Sequence, residues 1–99
     1  MTSFIISPAA DADLESIWLY SRKNWNTGQA DQYVAELRSA IVDLASGRKK
    51  GRPIGNVRSG YFKLAVSSHF VCYRMVNAGV IDVVRILHQR MDVGAHLSN

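Results

Sequence analysis

At 99 residues, 47% of them hydrophobic and 20% charged, the chain is one domain's worth with a globular balance, which excludes a disordered or fibrous protein. Twelve Lys and Arg against eight Asp and Glu give a formal charge of +4, which favours an acidic partner or nucleic acid but falls far below that of a dedicated DNA coat. Cys72 has no second cysteine to pair with, Met1 to Ser7 is too short for a secretory signal, and no apolar run reaches spanning length; the expectation is a cytoplasmic protein without a membrane partner.

Phe4, Ile5 and Ile6 form a short apolar strand, and Ser7-Pro8 supplies an N-cap hydroxyl followed by a proline at the first helical position. Ala10, Leu14, Ile17, Trp18, Ser21 and Trp25 recur at three- and four-residue steps, which predicts an amphipathic helix over 8–25. Thr27 is the expected cap of a second helix carrying Ala30, Tyr33, Val34, Leu37, Ala40, Ile41 and Leu44, with Gly47 as its stop. So short a link makes the two helices an antiparallel hairpin with one shared apolar face.

Residues 48–60 are rich in glycine and basic groups and read as a loop. From Tyr61 the chain turns β-like: Tyr61 to Val66, a Ser67-Ser68 turn, His69 to Val76, an Asn77-Ala78-Gly79 turn, then Val80 to Leu87. A three-residue last turn pairs Val76 with Val80 and Arg74 with Asp82, setting opposite charges across the ladder. The face carrying Val71, Tyr73, Met75, Ile81, Val83, Arg85 and Leu87 is then expected to meet the helices, although a one-residue slip would exchange the faces. The fold class is α+β, in the order βααβββ, with the hairpin packed on one face of a mainly antiparallel sheet.

No paired-carboxylate site, phosphate-cradling glycine loop or metal-ligand spacing among His69, His88 and His96 is legible, so no cofactor, metal or catalytic set is expected. Cys72, inside an apolar run, reads as a small buried hydrophobe. Arg48 to Arg52 reads as solvated surface rather than a nucleic-acid motif. Trp18 and Trp25 lie on the first helix's apolar stripe, and Trp25, at its end, is the better candidate for a partly exposed anchor. His88, Gln89, Arg90, Met91 and Asp92 crowd polar groups after the last strand.

Several strings carry a resemblance. Ser7-Pro8-Ala9-Ala10 leading into Asp13-Leu14 and Ile17-Trp18-Leu19-Tyr20, then Val71-Cys72-Tyr73-Arg74-Met75-Val76, and above all Val84-Arg85-Ile86-Leu87-His88-Gln89-Arg90-Met91-Asp92 resemble ParE-type toxins of the RelE/ParE toxin–antitoxin superfamily. The likeness runs from about Phe4 to Asp92, within a single domain over 1–99 whose tail is 93–99. It implies a toxin of a type II system, neutralised by a ParD-like antitoxin in a hetero-oligomer, that poisons DNA gyrase and meets operator DNA only through the antitoxin. The RelE branch instead cleaves messenger RNA on the ribosome, with basic residues on the sheet face and a C-terminal tyrosine. Here Phe70 and Gln89 occupy the expected basic positions and no Tyr follows Tyr73, which leaves an endoribonuclease, or an inactive toxin-derived binding module, as the alternatives. For the target, the resemblance points to the carboxyl end: His88, Arg90, Met91, Asp92 and Leu97. For the antitoxin, the expected site is a groove between hairpin and sheet formed by Trp18, Arg22, Trp25, Arg74 and Arg85, suited to an acidic segment that folds on binding.

Overall fold

Ser7 sets where the first helix starts. In a computed structural model that describes residues 3–77 and 79–97, its backbone is extended, its hydroxyl accepts the Ala10 N–H at 3.0 Å, and Pro8 opens the helix where no donor is required. The helix (α1, Pro8–Asn24) buries Ala10, Leu14, Ile17 and Ser21, one stripe at helical spacing, and keeps Asp11 in its first turn and Arg22 and Lys23 in its last, as its dipole favours. The second helix (α2, Thr27–Ser46) is capped by Asn26, not by Thr27 as expected: the Asn26 side chain accepts the Gln29 N–H at 2.8 Å and Thr27 is already helical. It ends where expected, on Gly47 at φ 83°, a left-handed conformation that a side chain disfavours.

The strand Ser3–Ile6 (β1) precedes the hairpin. After it come a two-residue strand, Arg52–Pro53 (β2), inside the segment read as a loop, then Tyr61–Val66 (β3), His69–Asn77 (β4), Val80–His88 (β5) and a short helix, Val93–Leu97 (α3), inside the segment read as a tail. The five strands form one sheet in the order β1-β5-β4-β3-β2, with β1 parallel to β5 and every other pair antiparallel. The α+β architecture and the meander are therefore as expected.

The register is not regular. Arg74 does face Asp82, but a shift between Met75 and Asn77 pairs Asn77 with Val80 where Val76 was expected. Ala78, the middle of the expected turn, lies outside the described residues, as do Met1, Thr2, Ser98 and Asn99. A second shift pairs Tyr73 with Val83 but Cys72 with Arg85, leaving Val84 as an extra residue. The alternation of β5 resets at this bulge: Ile81, Val83 and then Ile86 join the core under the helices, while Leu87 packs on the other face with Cys72. Leu87 and Arg85 thus leave the helix-facing set, Ile86 enters it, and Met75, at 50% exposure, is not in the core.

Two cores result. The larger lies between hairpin and sheet around Leu14, Leu37, Ile41, Val71, Ile81 and Val83. The smaller, on the outer face, joins Ile54, Cys72, Leu87 and Leu97, with Val93 packed against it, so α3 is held to the sheet by residues at both of its ends. Cys72 is buried there, and burial pushes its thiol up to about 11, which keeps it protonated and unreactive at neutral pH.

Candidate functional site

β1 ends opposite Val83, so the far half of β5 has lost its neighbouring strand. Side chains from the start of α1 take its place. Ser7 N–H donates to the Val83 carbonyl at 3.0 Å, Ser7 Oγ to the Val84 carbonyl at 2.9 Å, and Ile86 N–H donates to Asp13 Oδ2 at 2.9 Å. The Arg85 guanidinium closes the arrangement with a two-pronged pair to Asp13, Nε to Oδ2 at 2.8 Å and Nη2 to Oδ1 at 2.9 Å. The same hydrogen bonds push Arg85 above its ordinary range, so its charge is permanent.

Arg85 and Arg74 line a basin of about 350 Å³ on the outer sheet face together with Arg58, Tyr61, Val84, His96 and Leu97. Arg74 is held by Asp82 at 3.1 Å, and the Arg58 guanidinium lies 5.0 Å over Tyr61 and donates to the Leu97 carbonyl at 3.2 Å. The basin offers guanidinium groups already oriented by carboxylates and carbonyls, which suits an anionic side chain rather than a reacting centre.

Trp18, Arg22 and Trp25 do not share that basin. Trp18 Nε1 donates to Asp31 Oδ1 at 2.8 Å, tying α1 to α2, and Arg22 lies 5.3 Å over its ring. Trp25 is 61% exposed and lines a separate concavity with Gln29, Gln32, Tyr33 and Glu36. A third lies between the helices, lined by Asp11, Leu14, Glu15, Trp18, Val34 and Arg38. The single groove expected between hairpin and sheet is thus divided: the aromatic members belong to the hairpin, and the two arginines to the outer sheet face, because Arg85 shares Cys72's side of the sheet after the bulge.

At the carboxyl exit, His88, Arg90, Met91 and Asp92 stay together. Arg90 N–H donates to His88 Nδ1 at 3.1 Å, Met91 N–H to the His88 carbonyl at 2.9 Å, and Asp92 Oδ1 accepts the Gly94 N–H at 3.0 Å, which starts α3. Arg90, Met91 and Asp92 are exposed, whereas Leu97 is buried, with 5% exposure, at the wall of the arginine basin.

Tyr33 and His69 belong to this end of the molecule but were not among the expected site residues. The bulge sets His69 opposite His88, their rings edge to face at 5.2 Å; a ladder without it would set His69 opposite Leu87. Tyr33 Oη accepts the Ser68 N–H at 3.1 Å and shares a hydrogen bond with His69 Nδ1 at 2.6 Å. Burial, reinforced by His88, pulls His69 below its ordinary range, in keeping with a neutral ring. Gln89 clamps the turn at Ser67, which sits at a left-handed φ of 51°: its Nε2 donates to the Ser67 carbonyl at 2.7 Å and its N–H to the Ser68 carbonyl at 2.9 Å. Among the described residues, no group of three or more His, Cys, Asp or Glu is placed to hold a metal ion.

The arrangement of a helical hairpin on a mainly antiparallel sheet has a counterpart among solved structures. A solved chain described as the chromosomal ParDE TA system from P. aeruginosa superposes with a TM-score of 0.76 over 89% of this chain and 96% of that one, at 21% identity, which shows the fold. The sequence goes further. The family model for the ParE toxin of the type II toxin-antitoxin system, parDE, matches residues 4–93. Toxin ParE1 of Mycobacterium tuberculosis is 47% identical over 94 residues, 95% of this chain and 96% of that protein. Toxin ParE1 of Caulobacter vibrioides is 41% identical over 98% of this chain and 99% of its own length, and Toxin ParE of Escherichia coli 32% identical over 100% and 96%. The chain belongs to the ParE toxin family of type II toxin–antitoxin systems.

Proposed function

We propose that this toxin acts in the cytoplasm by binding DNA gyrase and trapping its cleaved DNA, and that a ParD-type antitoxin silences it by occupying its surface. Family membership is the observation that carries the antitoxin and the toxin role. For binding rather than RNA cleavage, the support is how the polar groups at the exit are used: His88 Nδ1 holds a backbone N–H, Gln89 holds a turn, and Phe70 lies beneath the Lys63 ammonium at 4.3 Å. In-line RNA cleavage needs an acid or base free to move a proton and cations aimed at one phosphate.

The target-contacting residues of this reading are His88, Arg90, Met91 and Asp92, with Met91 47% exposed as the apolar centre. Leu97 serves them from beneath, by fixing α3. The antitoxin contacts are the hairpin surface of Trp18, Arg22 and Trp25 and the basin of Arg74 and Arg85, reached by a segment long enough to wrap both. Expression from a tightly controlled promoter tests the reading. Growth arrest with messenger RNA intact, relieved when the antitoxin is produced, is expected; arrest with fragmented messenger RNA would move the protein to the RelE mode of action.

A further inference from the structure

Several cations of this chain have partners. Arg48 and Lys49 share Asp43 at 3.6 and 3.9 Å, Arg74 holds Asp82, Arg85 holds Asp13, and Arg22 covers Trp18. Lys50, Arg52 and Lys63 differ in what surrounds them, the Lys63 ammonium lying over the Phe70 ring at 4.3 Å rather than on a carboxylate. They line one concavity of about 360 Å³ with Leu64, Ala65 and Phe70, and among the described residues no carboxylate pairs with any of the three.

Three like charges in one hollow repel, and the fold holds them there. Gly51 N–H donates to Tyr73 Oη at 2.8 Å, and Arg52 pairs with Lys63 across the β2–β3 ladder. The approach is close enough to require glycine: a Cβ on Gly51 would lie 2.8 Å from the Lys63 carbonyl and from the Tyr73 ring and hydroxyl. The basic segment is therefore pinned, with Lys50 and Arg52 on either side of the pin.

The same hollow borders an open sheet edge. β2 covers only Phe62 and Lys63, Ile54 N–H reaches the Tyr61 carbonyl at 2.8 Å, and among the described residues no strand runs beside Leu64–Val66 on that side. The Tyr61 carbonyl points toward β2, so the two-residue period points the N–H and C=O of exposed Ala65 the same way, toward the hollow it lines.

We propose that this edge docks an extended acidic peptide of the antitoxin, added as a strand along Leu64–Val66 with its carboxylates on Lys50, Arg52 and Lys63. The proposal rests on the antitoxin reading for the source of the peptide, not for the site. Backbone groups on an open edge are met by another backbone, the cations by carboxylates on one face of the added strand, and the Phe70 ring on the same outer face by an apolar side chain. A nucleic-acid strand would meet the cations and leave the Ala65 groups unmet.

Two measurements on the full-length chain test it, hydrogen exchange at the Ala65 amide and affinity by fluorescence anisotropy. The probes are a blocked synthetic peptide alternating aspartate with valine, its lysine counterpart, a single-stranded oligonucleotide of equal charge, and the ParD-type antitoxin itself. The acidic peptide and the antitoxin should each slow exchange at Ala65, and Lys50→Glu with Arg52→Glu should weaken the peptide by about tenfold or more, while the lysine peptide does not bind. An oligonucleotide that binds as tightly as the acidic peptide would overturn the proposal. So would an antitoxin complex that forms with Ala65 exchanging freely and with affinity indifferent to the charge reversals, although the antitoxin reading would then stand. An antitoxin that does not bind at all would remove that reading, and the proposed source with it.

Discussion

Asp13 accepts three hydrogen bonds, one from the Ile86 backbone and two from Arg85, and so replaces the strand that β5 loses after Val83. Asp13→Ala leaves a backbone N–H and a guanidinium without their acceptor, and should cost about 2 kcal/mol in urea unfolding. Asp13→Asn, which still offers one carbonyl oxygen to Ile86, should cost less. A cost near zero for the alanine variant would mean that water serves this edge equally well. His69 sets a pH dependence. Burial lowers its folded pKa below the ordinary 6.5, so the unfolded chain takes up a proton more readily. Its contribution is complete above about pH 6.5 and is lost as pH falls from there toward the lowered folded value. Tyr33, His88, Glu36 and Asp13 are the titratable groups that act on this cluster. Urea midpoints measured from pH 7.5 down to 5.5 should decline, and His69→Phe should flatten the decline; equal slopes would show that the proton goes elsewhere.

The elements differ in how plainly the sequence announces them. α1, α2 and the meander carry long periodic patterns, and their bounds follow to within a residue or two. Asn26 and Thr27 are both good caps side by side, and composition does not choose between them; the Asn26 side chain wins because its oxygen reaches the Gln29 N–H. Asn26→Ala should therefore cost about 1 kcal/mol in thermal or urea unfolding. Thr27→Ala should stay within about 0.5 kcal/mol, and the opposite order would restore Thr27 as the cap. The bulge at Val84 was hidden because Val83, Val84, Ile86 and Leu87 are apolar on both faces, so either register buries hydrophobic surface. α3 was hidden because five residues have no helical tendency of their own and form a turn only when Leu97 docks on Ile54, Cys72 and Leu87. Leu97→Ala should then cost about 2 kcal/mol and loosen 93–97 to hydrogen exchange; unchanged protection there would show that α3 is held by other contacts.

Over the whole molecule, the candidate surfaces spread around the sheet rather than converging on one cleft. Hairpin aromatics lie on one side and the arginine basin on the other, and the exit segment leaves from the end of β5. Such a layout suits a protein enclosed by a long, extended partner and released to meet a second one. The residues of the basin and exit were legible singly, as charges and a Met after the last strand. Their grouping was not, since it depends on the bulge that carries Arg85 across the sheet and on α3 closing over the outer face.

The most direct measurement is a DNA cleavage and supercoiling gel with purified gyrase and this toxin, alongside Arg90→Glu with Met91→Glu, two changes at exposed positions. The wild-type chain should stop supercoiling and accumulate broken DNA, and the double variant should lose both effects while still binding the antitoxin. Gyrase that supercoils normally in the presence of a folded, growth-arresting wild-type chain would contradict the account.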